Sequence, residues 1–362
     1  MLRLERRKEA SRSMLYATPF LAVLLTMAAG IVLFALIGKD PLRAISIIFF
    51  QPLTSVYGVT ELLVKATPLV LIAVGLSLGF RAGIWNIGAE GQYTMGALAG
   101  GAVALAFYDQ PGLWLLPLMC VAGAAGGAAW AAIPAFLKTR FNANEILVSL
   151  MLTYVAGLIL SVMVFGPLRD PEGLSFPESR LFHDSARLPV LISGTRAHVG
   201  ILVALVAVLL TAFVLARHRF GLVIRVLGAA PAAARFAGFS ETATVWTCLL
   251  VSGALSGLAG LFEASGTLGQ LVPALPVGYG FTAIIVAFLG RLHPVGILAA
   301  GLLLGLTYIG GEGAQIAMSL PSAVTSVFQG MLLFFLLAMD VLVNYRIRLG
   351  SRPAAAIAAE AE

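Results

Sequence analysis

Between two long apolar runs, residues 79–92 read Gly-Phe-Arg-Ala-Gly-Ile-Trp-Asn-Ile-Gly-Ala-Glu-Gly-Gln, so Arg81, Asn86, Glu90 and Gln92 bring charge and amide groups to a stretch flanked by lipid-soluble sequence. An ionisable group costs at least ~2.5 kcal/mol at the centre of a membrane helix, so these side chains belong to a bundle interior, a water-filled path or the membrane boundary. Gly79, Gly83, Gly88 and Gly91 break the helix here. Irregular backbone at such depth needs protein or a cavity to satisfy its N–H and C=O groups. The stretch reads as the wall of a pathway, a plain cytoplasmic turn being the alternative. Asn86 and Glu90 would then shape or gate that pathway, and Trp85 would either stack on a base or sugar or anchor at the interface.

No catalytic set accompanies these residues. His183 and His198 lie in one long polar connection, His218 in a basic stretch and His293 beside Pro294, so no pair has the helical spacing of a metal site. Cys120 and Cys248 match no metal or redox spacing and read as small packing residues. No G-x-x-x-x-G-K-[ST] loop occurs, so nucleotide hydrolysis through such a site is excluded and transport work needs an outside source. Gradient-driven carriers place carboxylates or histidines within spans. Here the candidates are Glu61, Glu90, Glu145, Glu263, Glu312 and Asp340, most of them at span ends, which leans away from ion coupling.

The elements that must hold these groups follow from composition. With 60% hydrophobic and 11% charged residues and a mean hydropathy of +0.98, the chain is a polytopic membrane protein, expected to be an all-α bundle. Apolar runs predict about ten spans, at 14–37, 62–80, 89–107, 113–137, 145–165, 199–216, 244–264, 279–290, 294–310 and 322–343. Glycine-broken or re-entrant segments are expected near 81–92 and 266–280. Residues 1–13 form a basic N-terminus, 14–348 one transmembrane domain and 349–362 a tail; the first apolar run is too long for a signal-peptide core and reads as retained. Of the 23 Lys and Arg, sixteen fall in segments assigned inside and six outside, which predicts both termini in the cytoplasm. This bias also explains the net charge of +6 without nucleic acid. Lys65, within a span, is expected to snorkel outward.

Gly96/Gly100, Gly123/Gly127, Gly253/Gly257 and Gly301/Gly305 are small-residue pairs four apart, the pattern of closely approaching helices. The outer connection 166–198 is polar, proline-rich and longer than a minimal link, which suits a docking surface or cap. The cytoplasmic segment 217–242 is patterned too: Pro231 suits a first helical turn and Gly238 a C-terminal cap, predicting a short exposed helix over 231–237 with Ala233, Ala234 and Phe236 available for contact. A helix lying at the bilayer surface is the other reading.

Across most of the chain these residues resemble the integral membrane permeases of bacterial ABC importers for nucleosides and simple sugars of the ribose-type branch. Residues 80–92 resemble the signature after the family's second span, Asn144, Glu145 and 149–154 the start of its fifth, and 278–281 with 287–294 its late broken segment. The resemblance implies pathway roles for Asn144, Glu145, Tyr154, Tyr279 and Phe281 beside Trp85, Asn86, Glu90 and Gln92. Core packing is the other reading for the aromatic residues. It likens Pro231 to Gly238 to the loop that engages the ATPase, so Arg225, Pro231, Ala233, Ala234, Arg235, Phe236 and Gly238 become coupling candidates. Ala230 stands where many relatives have Asn, and Ala232 where the broader motif has Glu. The resemblance further implies ABC ATPase subunits that use ATP, a second permease subunit (the same chain or a different one), an extracytoplasmic binding protein and an inner-membrane location, with no cofactor bound directly. Another sugar, a branched-chain amino acid or an ion-coupled secondary carrier are the alternative functions, and a membrane-embedded enzyme is a more remote one.

Overall fold

In the computed structural model, which describes residues 2–6, 12–173 and 176–349, the chain is helical almost throughout. In order its elements are β1 (Leu2–Arg6), α1 (Arg12–Leu36), α2 (Pro41–Phe49), α3 (Val56–Arg81), α4 (Ala89–Ala106), α5 (Leu115–Phe141), α6 (Glu145–Phe165), α7 (Gly200–Arg217), α8 (Arg219–Ala229), α9 (Pro231–Phe236), α10 (Glu241–Phe262), α11 (Tyr279–Leu289), α12 (Pro294–Met318), α13 (Ser322–Asn344) and β2 (Tyr345–Leu349). A π-helical turn, Glu263–Leu268, prolongs α10. The strands are the one departure from an all-helical chain. They pair antiparallel with Leu2 opposite Leu349 and Arg6 opposite Tyr345, and both segments alternate apolar and polar residues, the period of a strand.

Every segment expected to be a span contains a helix. Among the described residues, six are long and apolar enough to cross a membrane: α3, α5, α6, α7, α10 with its π turn, and α12. Shorter apolar helical stretches occupy Phe20–Leu36, Pro41–Leu53 and Tyr279–Leu289.

The chain divides into two compact units, one formed by Pro52–Ile309 and the other by Met1–Gln51 with Gly310–Glu362. In the larger unit α3 is apolar on all sides and almost wholly buried, as such a helix must be. Beside it α4, α5 and α10 cross through glycines. A side chain at Gly96 would overlap the backbone of Gly257, and one at Gly127 would overlap Gly253 and Gly257, so the paired small residues give backbone-to-backbone contact. Gly301 and Gly305 of α12 likewise admit Val70 and Ala66 of α3. In the smaller unit the buried Phe328 ring of α13 lies 6.2 Å from Phe34 of α1 and 6.1 Å from Phe49 of α2. Asp40 caps α2 by accepting the Leu42 and Arg43 N–H groups at 3.0 and 3.2 Å, with Pro41 supplying the first turn.

Candidate functional site

The polar stretch between α3 and α4 is a short irregular passage with most of its N–H groups hydrogen-bonded to protein groups. Helix α3 ends with Gly83 in the left-handed region (φ 76°), letting the Ile84 N–H turn back to the Gly79 carbonyl at 2.9 Å. The Asn86 Oδ1 accepts the Gly88 N–H at 3.1 Å, and the Ile87 N–H goes to Ser149 Oγ of α6 at 3.2 Å. Asn86 and Gln92 form a reciprocal amide pair: Asn86 Nδ2 donates to Gln92 Oε1 at 2.8 Å and Gln92 Nε2 to Asn86 Oδ1 at 3.0 Å. The second Asn86 donor bond reaches Ser252 Oγ on α10 at 2.9 Å. All three side chains are buried, so the pair fastens the break to α4 and α10.

Glu90 connects this break to the second one. From the first turn of α4 its buried carboxylate accepts the Gly278 N–H at 2.7 Å and the Gly280 N–H, the free donors at the start of α11. A carboxylate at a helix N-terminus is favourable both as acceptor and against the helix dipole. Gly278 itself is left-handed (φ 92°), and no side chain would fit at Gly280, which touches the backbone of Ala89 and Glu90.

Above this clamp stands a group of rings. Tyr279, almost wholly buried, makes edge contacts with Tyr93 of α4 and Tyr308 of α12, each at 6.0 Å between centroids. The Tyr308 hydroxyl lies 2.9 Å from Thr282 Oγ1. The Lys65 Nζ sits 5.9 Å from the Tyr279 ring centre, where the π face attracts a cation.

The remaining expected pathway residues are not gathered there. Trp85 is part-exposed, tilted against Phe80 at 5.1 Å and stacked with Phe288 at 5.8 Å. Asn144 is the N-cap of α6, accepting the Ile146 N–H at 2.9 Å, and Glu145 pairs with Lys138. Tyr154 lies exposed on α6, and Phe281 is part-exposed on α11.

In the segment 217–242, α9 forms where Pro231 and Gly238 predict it. Gly238 is left-handed (φ 79°), and the Phe239 N–H closes on the Ala234 carbonyl at 3.0 Å. Ala233, Arg235 and Arg225 are exposed, and Phe236 is 97% exposed. Ala234 departs from expectation: it is completely buried in a core with Leu78, Ala82, Ile84, Leu227 and Val245, because it takes the inward face of this short helix. Helix α8 rests directly on α3, since a side chain at Gly228 would overlap the Arg81 carbonyl. Arg81 in turn donates from Nε to the Leu292 carbonyl at 3.0 Å, within a turn where Arg291 and Leu292 are both left-handed (φ 54° and 55°).

Residues 179–188 form a strap along the π turn and the segment after it. The Ser179 N–H donates to Leu271 O at 3.0 Å, Phe182 N–H to Gly269 O at 2.7 Å, and Ser265 Oγ to Ala186 O at 2.7 Å. Buried Glu61 is held by Arg196, whose Nε donates to Oε1 at 3.0 Å; that hydrogen bond keeps the guanidinium above its ordinary pKa. Burial against Phe262 and Gly266 pushes the His198 imidazole down to about 4, and its Nδ1 accepts the Gly200 N–H at 3.2 Å. No group of three or more potential metal ligands occurs among the described residues.

Six helices long and apolar enough to cross a membrane, with the polar stretch after α3 bonded to the start of α11, suit a multi-pass membrane protein. The chain belongs to the family described as the permease component of the branched-chain amino acid transport system, whose model matches residues 58–337. It is 38% identical to a glucose ABC transporter permease protein of Haloferax volcanii, over 96% of this chain and 93% of that one. It is 33% identical to a guanosine ABC transporter permease protein of Bacillus subtilis, over 91% and 94%, and 26% identical to a nucleoside ABC transporter permease protein of Lactococcus lactis, over 88% and 89%. No solved structure matches the chain. As a permease subunit it is a transport component, not the ATPase.

Proposed function

We propose that this chain is one of two permease subunits through which a nucleoside or simple sugar, delivered by an extracytoplasmic binding protein, crosses the bacterial inner membrane. Separate ATPase subunits supply the work, and the chain itself binds no cofactor. In this reading all ten expected segments cross the bilayer, and the stretches 81–92 and 266–280 are their irregular parts. Both termini lie in the cytoplasm, as the Lys and Arg distribution favours. The family match and the glucose and nucleoside permeases among its relatives support both class and substrate. A branched-chain amino acid is the alternative cargo that the family description itself supplies.

The observation that carries ATP coupling is α9, locked into the permease by buried Ala234 while presenting Phe236 almost fully exposed on its other face. An aromatic side chain offered this way suits a pocket on a partner, with Ala233 allowing close approach and Arg235 at the rim. Ala234 then acts from behind, transmitting force into α3 and α8. Reconstitution of permease, ATPase and binding protein tests this. Phe236→Ala is expected to lower substrate-stimulated ATP hydrolysis and import about tenfold while the permease still inserts and dimerises. Full coupling in that variant, or efficient gradient-driven uptake without any ATPase, would overturn the assignment.

A further inference from the structure

Tyr93 has no role in the clamp or the amide pair, yet its ring is completely buried and, among the described residues, its hydroxyl has no hydrogen-bond partner. An unsatisfied buried hydroxyl is destabilising, so a side chain kept this way calls for a reason. The ring covering it is Tyr279, the first residue of α11, set between the two amides that Glu90 holds. Behind Tyr279 stand Tyr308 with its Thr282 hydroxyl contact, and Lys65 over the ring face. Four helices thus bring three phenols, a threonine hydroxyl and an ammonium group to one place beside a helix start that a single carboxylate fastens.

We propose that this group reads the hydroxyls of the transported molecule, with Tyr93 as a specificity-determining residue that Tyr279 uncovers when the start of α11 moves. The chemistry selects an uncharged, hydroxyl-bearing ring compound. Aromatic edges and faces contact the apolar side of a sugar or base, and phenol and threonine hydroxyls both donate and accept. The Lys65 ammonium donates to hydroxyl or carbonyl oxygens. Glu90 is committed to backbone amides and is not offered to a cationic group, and the buried Glu263 at the end of α10, the other carboxylate acting on Tyr93, accepts the Thr267 hydroxyl at 3.4 Å. The inference rests on the permease reading and names the part of the pathway that chooses the cargo.

The test uses the permease–ATPase–binding-protein complex in proteoliposomes, with glucose, guanosine and monodeoxy analogues of each as transported probes. Tyr93→Phe removes only the hydroxyl. It is expected to retain or raise the melting temperature, since no protein hydrogen bond is lost. It should lower kcat/KM about fivefold for the parent compound and leave one particular deoxy analogue unaffected. A uniform loss across all analogues, or no change with any, overturns the inference while leaving the permease reading intact. If the unaltered complex carries neither glucose nor guanosine, nor any of their analogues, while importing a branched-chain amino acid, both fail together. Tyr279→Phe serves as a companion that keeps the covering ring. It is expected to preserve the analogue preference set by Tyr93, and loss of that preference would shift the reading hydroxyl to Tyr279 and overturn the assignment to Tyr93.

Discussion

Replacing Glu90 by Gln keeps the shape of the clamp and removes its charge. The carboxylate accepts two backbone N–H groups, from Gly278 and Gly280, at a site with 3% residual exposure. A hydrogen bond to a charged group contributes about 1.5–3 kcal/mol, a neutral one about 1. Gln offers one acceptor oxygen, and its NH₂ must face the second amide, leaving that N–H unsatisfied. The loss is therefore about 3 kcal/mol, or roughly a hundredfold in the equilibrium between the fastened and released start of α11. Hydrogen exchange of the purified permease reads this directly. The amides of 278–282 are expected to exchange roughly a hundredfold faster in Glu90→Gln, while those of the α4–α5–α10 crossing keep their protection. Unchanged exchange at 278–282 would refute the clamp; equal acceleration everywhere would make Glu90 a general stability residue.

Two further outcomes follow from the packing and the strap. Gly257→Val places a side chain against the backbone of Gly123 and Gly127, where nothing can yield, and should cost at least about 3 kcal/mol and deplete folded permease from membranes; Gly157→Val, where open space surrounds the glycine, is the control expected within about 0.5 kcal/mol. His198 is neutral in the fold down to about 4 against an ordinary 6.5, so between these values the unfolded chain takes a proton that the fold refuses, and stability falls as pH falls through that window, by up to about 3 kcal/mol. Melting temperatures from pH 7 to 4 should show His198→Gln with a shallower decline than the unaltered protein, and equal slopes would refute the burial argument.

How much of this was legible in the sequence depends on the range of each interaction. Local signals carried well: Gly83 as a helix stop, Pro231 and Gly238 around α9, and the glycine pairs that become the crossing. The polar character of Asn86, Glu90 and Gln92 marked the right stretch, but their partners were out of reach, since Ser252 and Gly280 lie far along the chain and no local period points to them. Tyr93 carried no signal, being one aromatic residue in an apolar helix. Ala234 lies on the inward face and not the contact face, since alanine suits either and only the packing of α8 and α3 decides. The strands escaped notice because a basic terminus invites a reading by charge, whereas its alternation is what mattered.

The glycine crossing has a mechanical consequence. Where Gly96, Gly127 and Gly257 bring main chains into contact, there are no rotamers to exchange, and so no low-cost way for one helix to slide along another. Such a joint behaves as a weld. Any conformational change of this unit is then expected to carry the three helices together. The irregular stretches 82–88 and 269–278 lie outside that crossing, and the Glu90 carboxylate joins the start of α4 to the start of α11.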